Sequence, residues 1–182
     1  MSAIENIRTA TRADAAAIAG IFAHYVRATV ATFAEEPPTA ADWVEKIGAS
    51  EAAGMPFLTA TADDEVIGFA YVSAWRAKPA YRHTVEDTIY LHPGHTGHGH
   101  GKALLAELLG RCRTAGFQQV IAVIADTGSP ASTLLHRRAG FRDAGRLVHV
   151  GHKHGRWVDT TLMQLPLSAA PPADTAASCR SA

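Results

Sequence analysis

The chain is poor in the features that would settle its class at once. It holds two cysteines in 182 residues, Cys112 and Cys179, too few for a disulfide framework, so a reducing compartment is expected. It carries no excess of one charge. Seventeen Lys and Arg balance seventeen Asp and Glu, which removes any global electrostatic case for nucleic acid or an anionic membrane surface. No apolar run approaches the ~20 residues that span a bilayer, and residues 1–8 show no basic start followed by an apolar stretch, so no secretion signal is expected. A cytoplasmic protein without nucleic-acid or membrane partners is the expectation, and any anion site must be local.

What is present suits one globular domain. With 47% hydrophobic and 19% charged residues, a chain of this length can bury roughly 70% of its unfolded surface. The domain is expected over residues 1–167. The tail from Ser168 is Ala, Pro, Ser and Asp, too poor in large apolar groups to pack, and is expected to be disordered.

Periodicity gives the element order. Residues 4–10 alternate as a short strand. Thr11 with Asp14, and Thr39 with Asp42, imitate capping boxes ahead of two amphipathic helices. Residues 57–62 and 66–75 form a hairpin around Asp63-Asp64-Glu65, and residues 84–91 alternate as a strand stopped by Pro93. Leu104, Leu105, Leu108, Leu109 and Cys112 follow at helical spacing, ended by Gly116. Residues 117–125 make a Val/Ile-rich strand, and Ser129 and Pro130 suit the N-cap and first position of a helix ended by Gly140. Strands at 144–152 and 156–165 turn at His154-Gly155. The order β-α-α-β-β-β-α-β-α-β-β argues a mixed sheet flanked by helices, an α/β (α+β) fold.

The most informative segment is Thr96-Gly97-His98-Gly99-His100-Gly101-Lys102-Ala103, between a strand and a strong helix. A glycine-rich turn there lets backbone N–H groups approach an anion, and the helix N-terminus favours negative charge. Walker A fails at Thr96 and Ala103. The dinucleotide pattern fails at His100 or at Leu104, depending on where it starts. The histidines His92, His95, His98 and His100 suggest zinc or nickel. Yet no Cys or carboxylate lies in the run and glycines hold ligands poorly, so no metal is expected.

What does match is the acyl-CoA loop of the GNAT superfamily, Gln/Arg-x-x-Gly-x-Gly/Ala, with Gly99 and Gly101 in the glycine positions and Thr96 replacing Gln or Arg. Three further segments resemble phosphinothricin and methionine sulfoximine N-acetyltransferases: residues 75–81 (WRAKPAY), 85–91 (VEDTIYL) and 151–159 (GHKHGRWVD). The resemblance covers residues 4–167. It implies the GNAT fold, a twisted, mostly antiparallel mixed sheet of about seven strands with about four helices. It also implies acetyl-CoA as co-substrate and a homodimer.

The resemblance assigns roles as well. Glu86 matches the proposed general base, needed because an amino acid arrives as ammonium; the bland alternative is a salt-bridged Glu. Asp87 should face the other side of the strand. Acetyl-CoA is expected along the backbone of Ile89, Tyr90 and Leu91, then on Gly97, His98, Gly99, His100, Gly101 and Lys102, with Ser129 replacing the more usual Asn. His136 stands four residues before Gly140-Phe141, where many relatives place a Tyr that serves the departing thiolate. It reads either as catalytic or as a packed helix residue. Trp75, Arg76, Lys78, Tyr81 and Trp157 are substrate candidates; Arg76 and Lys78 would share a face if their segment is extended. These residues favour a small amino-acid analogue. A polyamine, an aminoglycoside, a protein N-terminus or a non-catalytic acyl-CoA module are the alternatives.

Overall fold

The computed structural model describes residues 4–168. The expectation for the tail therefore falls, apart from Ser168, outside the described residues, as does Cys179. Seven strands and four α-helices follow the order read from the periodicity. They are β1 (Asn6–Thr9), α1 (Ala15–Ala28), α2 (Ala40–Ala52), β2 (Phe57–Ala62), β3 (Glu65–Ala74), β4 (Thr84–Leu91), α3 (His100–Thr114), β5 (Gln119–Ala125), α4 (Ala131–Arg138), β6 (Arg142–Lys153) and β7 (Arg156–Pro166). One sheet runs β1-β2-β3-β4-β5-β7-β6. Every neighbouring pair is antiparallel except β4 and β5.

Local chemistry explains the boundaries. Before α2, Thr39 Oγ1 accepts from the Asp42 N–H at 3.2 Å, while Asp42 accepts from the Thr39 N–H at 2.7 Å, a reciprocal cap. The β2–β3 turn sets Asp63 and Asp64 at φ 50° and 61°, the left-handed pair that matches strand twist in a two-residue hairpin. His154-Gly155 repeats this between β6 and β7 at φ 51° and 74°. Two boundaries that frame the site differ from expectation. The helix α3 begins at His100, so the Gly/His run is partly its first turn. The helix α4 begins one residue late, with Pro130 as N-cap and Ser129 Oγ accepting from the Ala131 N–H at 3.4 Å.

The sheet separates two cores. On one face, Val85, Leu104, Leu105, Leu108, Cys112, Val120 and Met163 pack with Ile89 and Leu91 against α3. On the other, Phe22, Trp43, Phe57, Phe69 and Tyr71 cluster under α1 and α2, with Tyr90 against them. The α1–α2 connection is tied to the far hairpin. Lys153 donates to the Thr32 carbonyl at 2.8 Å, and Phe33 lies so close to Gly151 that a Cβ there would collide with its ring.

Candidate active site

The site begins where β4 and β5 part. They pair only from Thr84–Glu86 to Gln119–Ile121, after which β4 runs to Leu91 and β5 to Ala125 without contact in the ladder. On its other side β4 stays paired with β3, from Val85 to Leu91. The Trp75 N–H donates to the Thr84 carbonyl and the His92 N–H to the Ile67 carbonyl, which fixes the hydrogen-bonded pairs at both ends of this ladder. Because such pairs alternate, Glu86, Thr88 and Tyr90 direct their backbone groups to β3. Asp87, Ile89 and Leu91 direct theirs into the fork. The three-residue backbone expectation is thereby corrected. Ile89 and the Leu91 N–H face the gap, whereas Tyr90 is committed to Phe69 of β3.

The Leu91 carbonyl is already engaged. Tyr25 of α1, a residue the sequence reading passed over, donates to it at 2.6 Å. Tyr90 sends its side chain to the α1–α2 face and donates to the Ala31 carbonyl at 3.2 Å. Burial pushes its phenol well above the ordinary range.

At the mouth of the fork the Gly/His loop turns into α3. Gly97 and Gly99 have φ 82° and 84°. A side chain at Gly99 would meet open space, so glycine is required there by conformation and not by room. Gly101 answers a different need: a Cβ would sit 3.4 Å from Leu135 and 3.7 Å from Leu91, so the start of α3, α4 and the end of β4 converge there. No side chain caps α3, which leaves its first-turn N–H groups for an anion.

His98 and Lys102 are exposed, while His100 is buried, and the Nδ1 atoms of His95 and His100 are buried without partners. Thr96 Oγ1 donates to the Pro93 carbonyl at 3.2 Å, steadying the turn from within. The histidine rings follow one another at centroid distances of 5.7, 6.0 and 6.0 Å. Among the described residues no three His, Cys, Asp or Glu side chains are grouped to hold a metal.

Alternation sends Glu86 and Asp87 to opposite faces. Glu86 is half-buried on the α1–α2 side. Burial raises its carboxyl above the usual range and Asp87 adds to the rise, while Arg76 opposes it. Asp87 is buried on the α3–α4 side, where Oδ2 accepts from His136 Nε2 at 2.9 Å. His136 is only 2% exposed, meets Phe141 edge to face, and directs Nδ1 to the Ser132 carbonyl at 2.8 Å. The structure packs His136 inside the fold, while the catalytic reading left open by the sequence is not decided by packing alone. Both ring nitrogens are occupied, Nδ1 by the Ser132 carbonyl and Nε2 by Asp87.

The proposed substrate residues do not converge as expected. Arg76 lies beside Glu86 electrostatically, and its guanidinium stacks 3.9 Å from the Trp75 ring centroid. Lys78 leads into a 3-10 turn, Pro79–Tyr81. The segment bends at Ala77 and Lys78, so the extended run that would put Arg76 and Lys78 on one face is interrupted. Tyr81 remains exposed on that turn. Trp157 is 62% exposed and packs on His152. Glu86 is level with Ile121 and then Gln164 across the sheet, and Trp157 lies seven residues farther along β7, about 23 Å at strand rise. One subunit does not bring it to Glu86.

Comparison with known proteins decides the family. The model of the acetyltransferase (GNAT) family matches residues 18–141. The chain is 42% identical over 163 residues to a phosphinothricin N-acetyltransferase of Alcaligenes faecalis, covering 90% of this chain and 83% of that one. It is 37% identical to the L-methionine sulfoximine/L-methionine sulfone acetyltransferase of Salmonella typhimurium, covering 92% and 98%. A phosphinothricin acetyltransferase of Sinorhizobium meliloti, solved in complex with acetyl-CoA, superposes with TM-score 0.85 at 45% identity, covering 88% and 87%. The chain belongs to the GNAT acetyltransferase family.

A GNAT acetyltransferase binds acetyl-CoA, and the residues present fit that group. The fork offers an unpaired strand edge at Ile89 and Leu91 for amide-bearing chain. The left-handed Gly97 and Gly99 and the uncapped start of α3 offer N–H groups to a pyrophosphate. Two pieces of this GNAT site escaped the sequence reading: Tyr25, and the bond from Asp87 to His136. The second left a trace. An acid on the inward face of a strand and a His on the inward face of a helix, both buried, must be partnered.

Proposed function

We propose that the protein acetylates the α-amino group of a small amino-acid analogue of the phosphinothricin, methionine sulfoximine or methionine sulfone type. The observation that carries this is Glu86, half-buried beside the unpaired edge of β4, with the Arg76 charge acting on it. Glu86 takes the ammonium proton, directly or through water. The amine then attacks the thioester carbonyl, and the Ile89 N–H lies on the strand edge where an oxyanion would form. Arg76 supports the substrate preference, because a guanidinium grips a carboxylate or phosphinate in bidentate fashion. The relatives named above act on compounds of this kind. A raised carboxyl sets the sign of the pH dependence. Glu86 is a base only above its folded pKa, so the acid limb of the rate profile falls above the ordinary glutamate value of ~4.3.

The experiment is a comparison of CoA release with the three analogues against spermidine and a peptide amine, repeated with Arg76→Ala. The analogues should be preferred, and Arg76→Ala should raise their KM about tenfold or more, as expected when a charged hydrogen bond is lost. Preference for spermidine, or an unchanged KM in the variant, would remove the substrate assignment.

We also propose a homodimer of cytoplasmic protein. The edge strand β6 exposes Leu147 (44%), Val148 (66%) and Val150 (51%), and β7 beside it exposes Trp157 (62%), an apolar surface that a lone subunit leaves in water. A second subunit could also carry Trp157 to a cleft that its own subunit cannot reach. Light scattering at micromolar concentration should give twice the chain mass, and a fully active monomer would sink the idea.

A further inference from the structure

The pair joining β4 to α4 is unusual in its polarity and its place. Asp87 is the first β4 residue beyond the last one paired with β5, so its side chain stands at the apex of the fork. His136 Nδ1 faces the Ser132 carbonyl oxygen and Nε2 faces a carboxylate oxygen. The Ser132 carbonyl only accepts, so Nδ1 donates, and with Asp87 as a carboxylate Nε2 donates as well, which is the imidazolium form. Burial opposes that charge, but the bond to Asp87, its charge and the Ser132 carbonyl together outweigh burial and raise the His136 pKa. Asp87 Oδ1, meanwhile, is buried with no partner. A buried carboxylate oxygen seldom goes unsatisfied, and here it leaves an acceptor at the fork for a donor the folded chain does not supply.

We propose that Asp87 is a positioning residue of the transfer step, holding His136 as a doubly donating imidazolium where β4 and β5 part. The proposal rests on the fork being the thioester site. As the tetrahedral intermediate collapses, the C–S bond breaks and its electron pair stays on sulfur. The sulfur takes the Nε2 proton as the bond to Asp87 Oδ2 opens, leaving neutral His136 with Nδ1–H on Ser132 and Asp87 a carboxylate; the acylated nitrogen sheds its second proton to water, and water returns a proton to His136. The thiol S–H then has Asp87 Oδ1 as an acceptor. The other groups around the pair are few. Cys112 of α3 has its thiol pushed up to about 12 by burial, with Asp87 adding and Arg113 opposing, so it does not compete as a donor near neutrality. Glu86 lies on the opposite face of β4, and Phe141 is apolar.

Two measurements test this. In wild-type protein, side-chain ¹⁵N NMR of His136, assigned by its absence in His136→Gln, should show both nitrogens protonated at neutral pH, where an ordinary histidine has lost its proton. A singly protonated ring at neutral pH overturns the proposal without any variant and whatever the amine substrate proves to be. In kinetics, Asp87→Asn should lower kcat about 10- to 10³-fold with the acetyl-CoA KM changed only a few-fold, and Asp87→Glu should recover part of the loss. The defect should shrink with 4-nitrothiophenyl acetate, whose thiolate leaves without a proton. An unchanged kcat in Asp87→Asn, or an equal defect with both donors, overturns the positioning role even if the imidazolium is found. If no amine is acetylated by wild-type protein, the functional reading fails while the NMR result still decides the state of the pair.

Discussion

Replacing Glu86 by Gln should lower turnover about 10²–10⁴-fold, the usual range for loss of a positioned base, with the acetyl-CoA KM nearly unchanged. The separation follows from the fold. Glu86 projects to the α1–α2 face, whereas the fork edge is backbone and the Gly/His loop lies beyond the end of β4. Gln keeps the shape and loses only the proton acceptor. The same substitution should not weaken the fold. A carboxyl whose folded pKa is raised contributes stability only at low pH, fully below its unfolded pKa, and loses it as pH rises through the folded value. At pH 7 the ionised Glu86 is therefore a cost, and the variant's Tm should equal or exceed that of wild type. Slow turnover with an unchanged or higher Tm separates a functional residue from a structural one. A near-normal rate across pH would remove Glu86 from the mechanism.

Gly99→Val should act on the other half of the site. At φ 84° a β-branched residue is a genuine outlier, costing about 1–2 kcal/mol if the left-handed conformation is kept. Nothing crowds the position, so the chain can escape the strain by rotating the loop, and that moves the N–H groups at the start of α3. Loss of one charge-assisted hydrogen bond is worth about 1.5–3 kcal/mol. The acetyl-CoA KM and Kd should therefore rise roughly 10- to 150-fold, with kcat at saturating acetyl-CoA largely retained. Gly99→Ala should show a smaller shift in the same direction. Unchanged acetyl-CoA affinity in Gly99→Val would remove the loop from the binding site.

The strands, helices and hairpin turns were legible because their signals are local. Asp63-Asp64 and His154-Gly155 carry their turn chemistry in place, and Thr39 with Asp42 announces α2. The fork was legible only through the family resemblance. Periodicity tells that Glu86 and Asp87 face opposite ways, but not that β5 stops pairing with β4 at Ile121. That parting selects Ile89 and Leu91 over Tyr90, and it depends on strand partners distant in sequence. The bond from Asp87 to His136 spans 49 residues, and that from Tyr25 to Leu91 spans 66. Neither leaves a spacing to count. Arg76 and Lys78 misled for a related reason. The alternation argument assumed extended chain, and the chain instead bends at Ala77 and Lys78 ahead of the Pro79–Tyr81 turn. Trp157 was placed by resemblance alone, and only the sheet order puts distance between it and Glu86.

The central claim is acetyl transfer from a thioester held in the β4–β5 fork to an amine deprotonated by Glu86. Its most direct test is a stoichiometric one. Purified protein is mixed with acetyl-CoA and methionine sulfone, and free CoA and N-acetylated product are quantified together by mass spectrometry. The account predicts one N-acetyl product per CoA released, with both falling in parallel in Glu86→Gln. Binding of acetyl-CoA without any acetylated amine, or CoA release equally fast with no amine present, would contradict it.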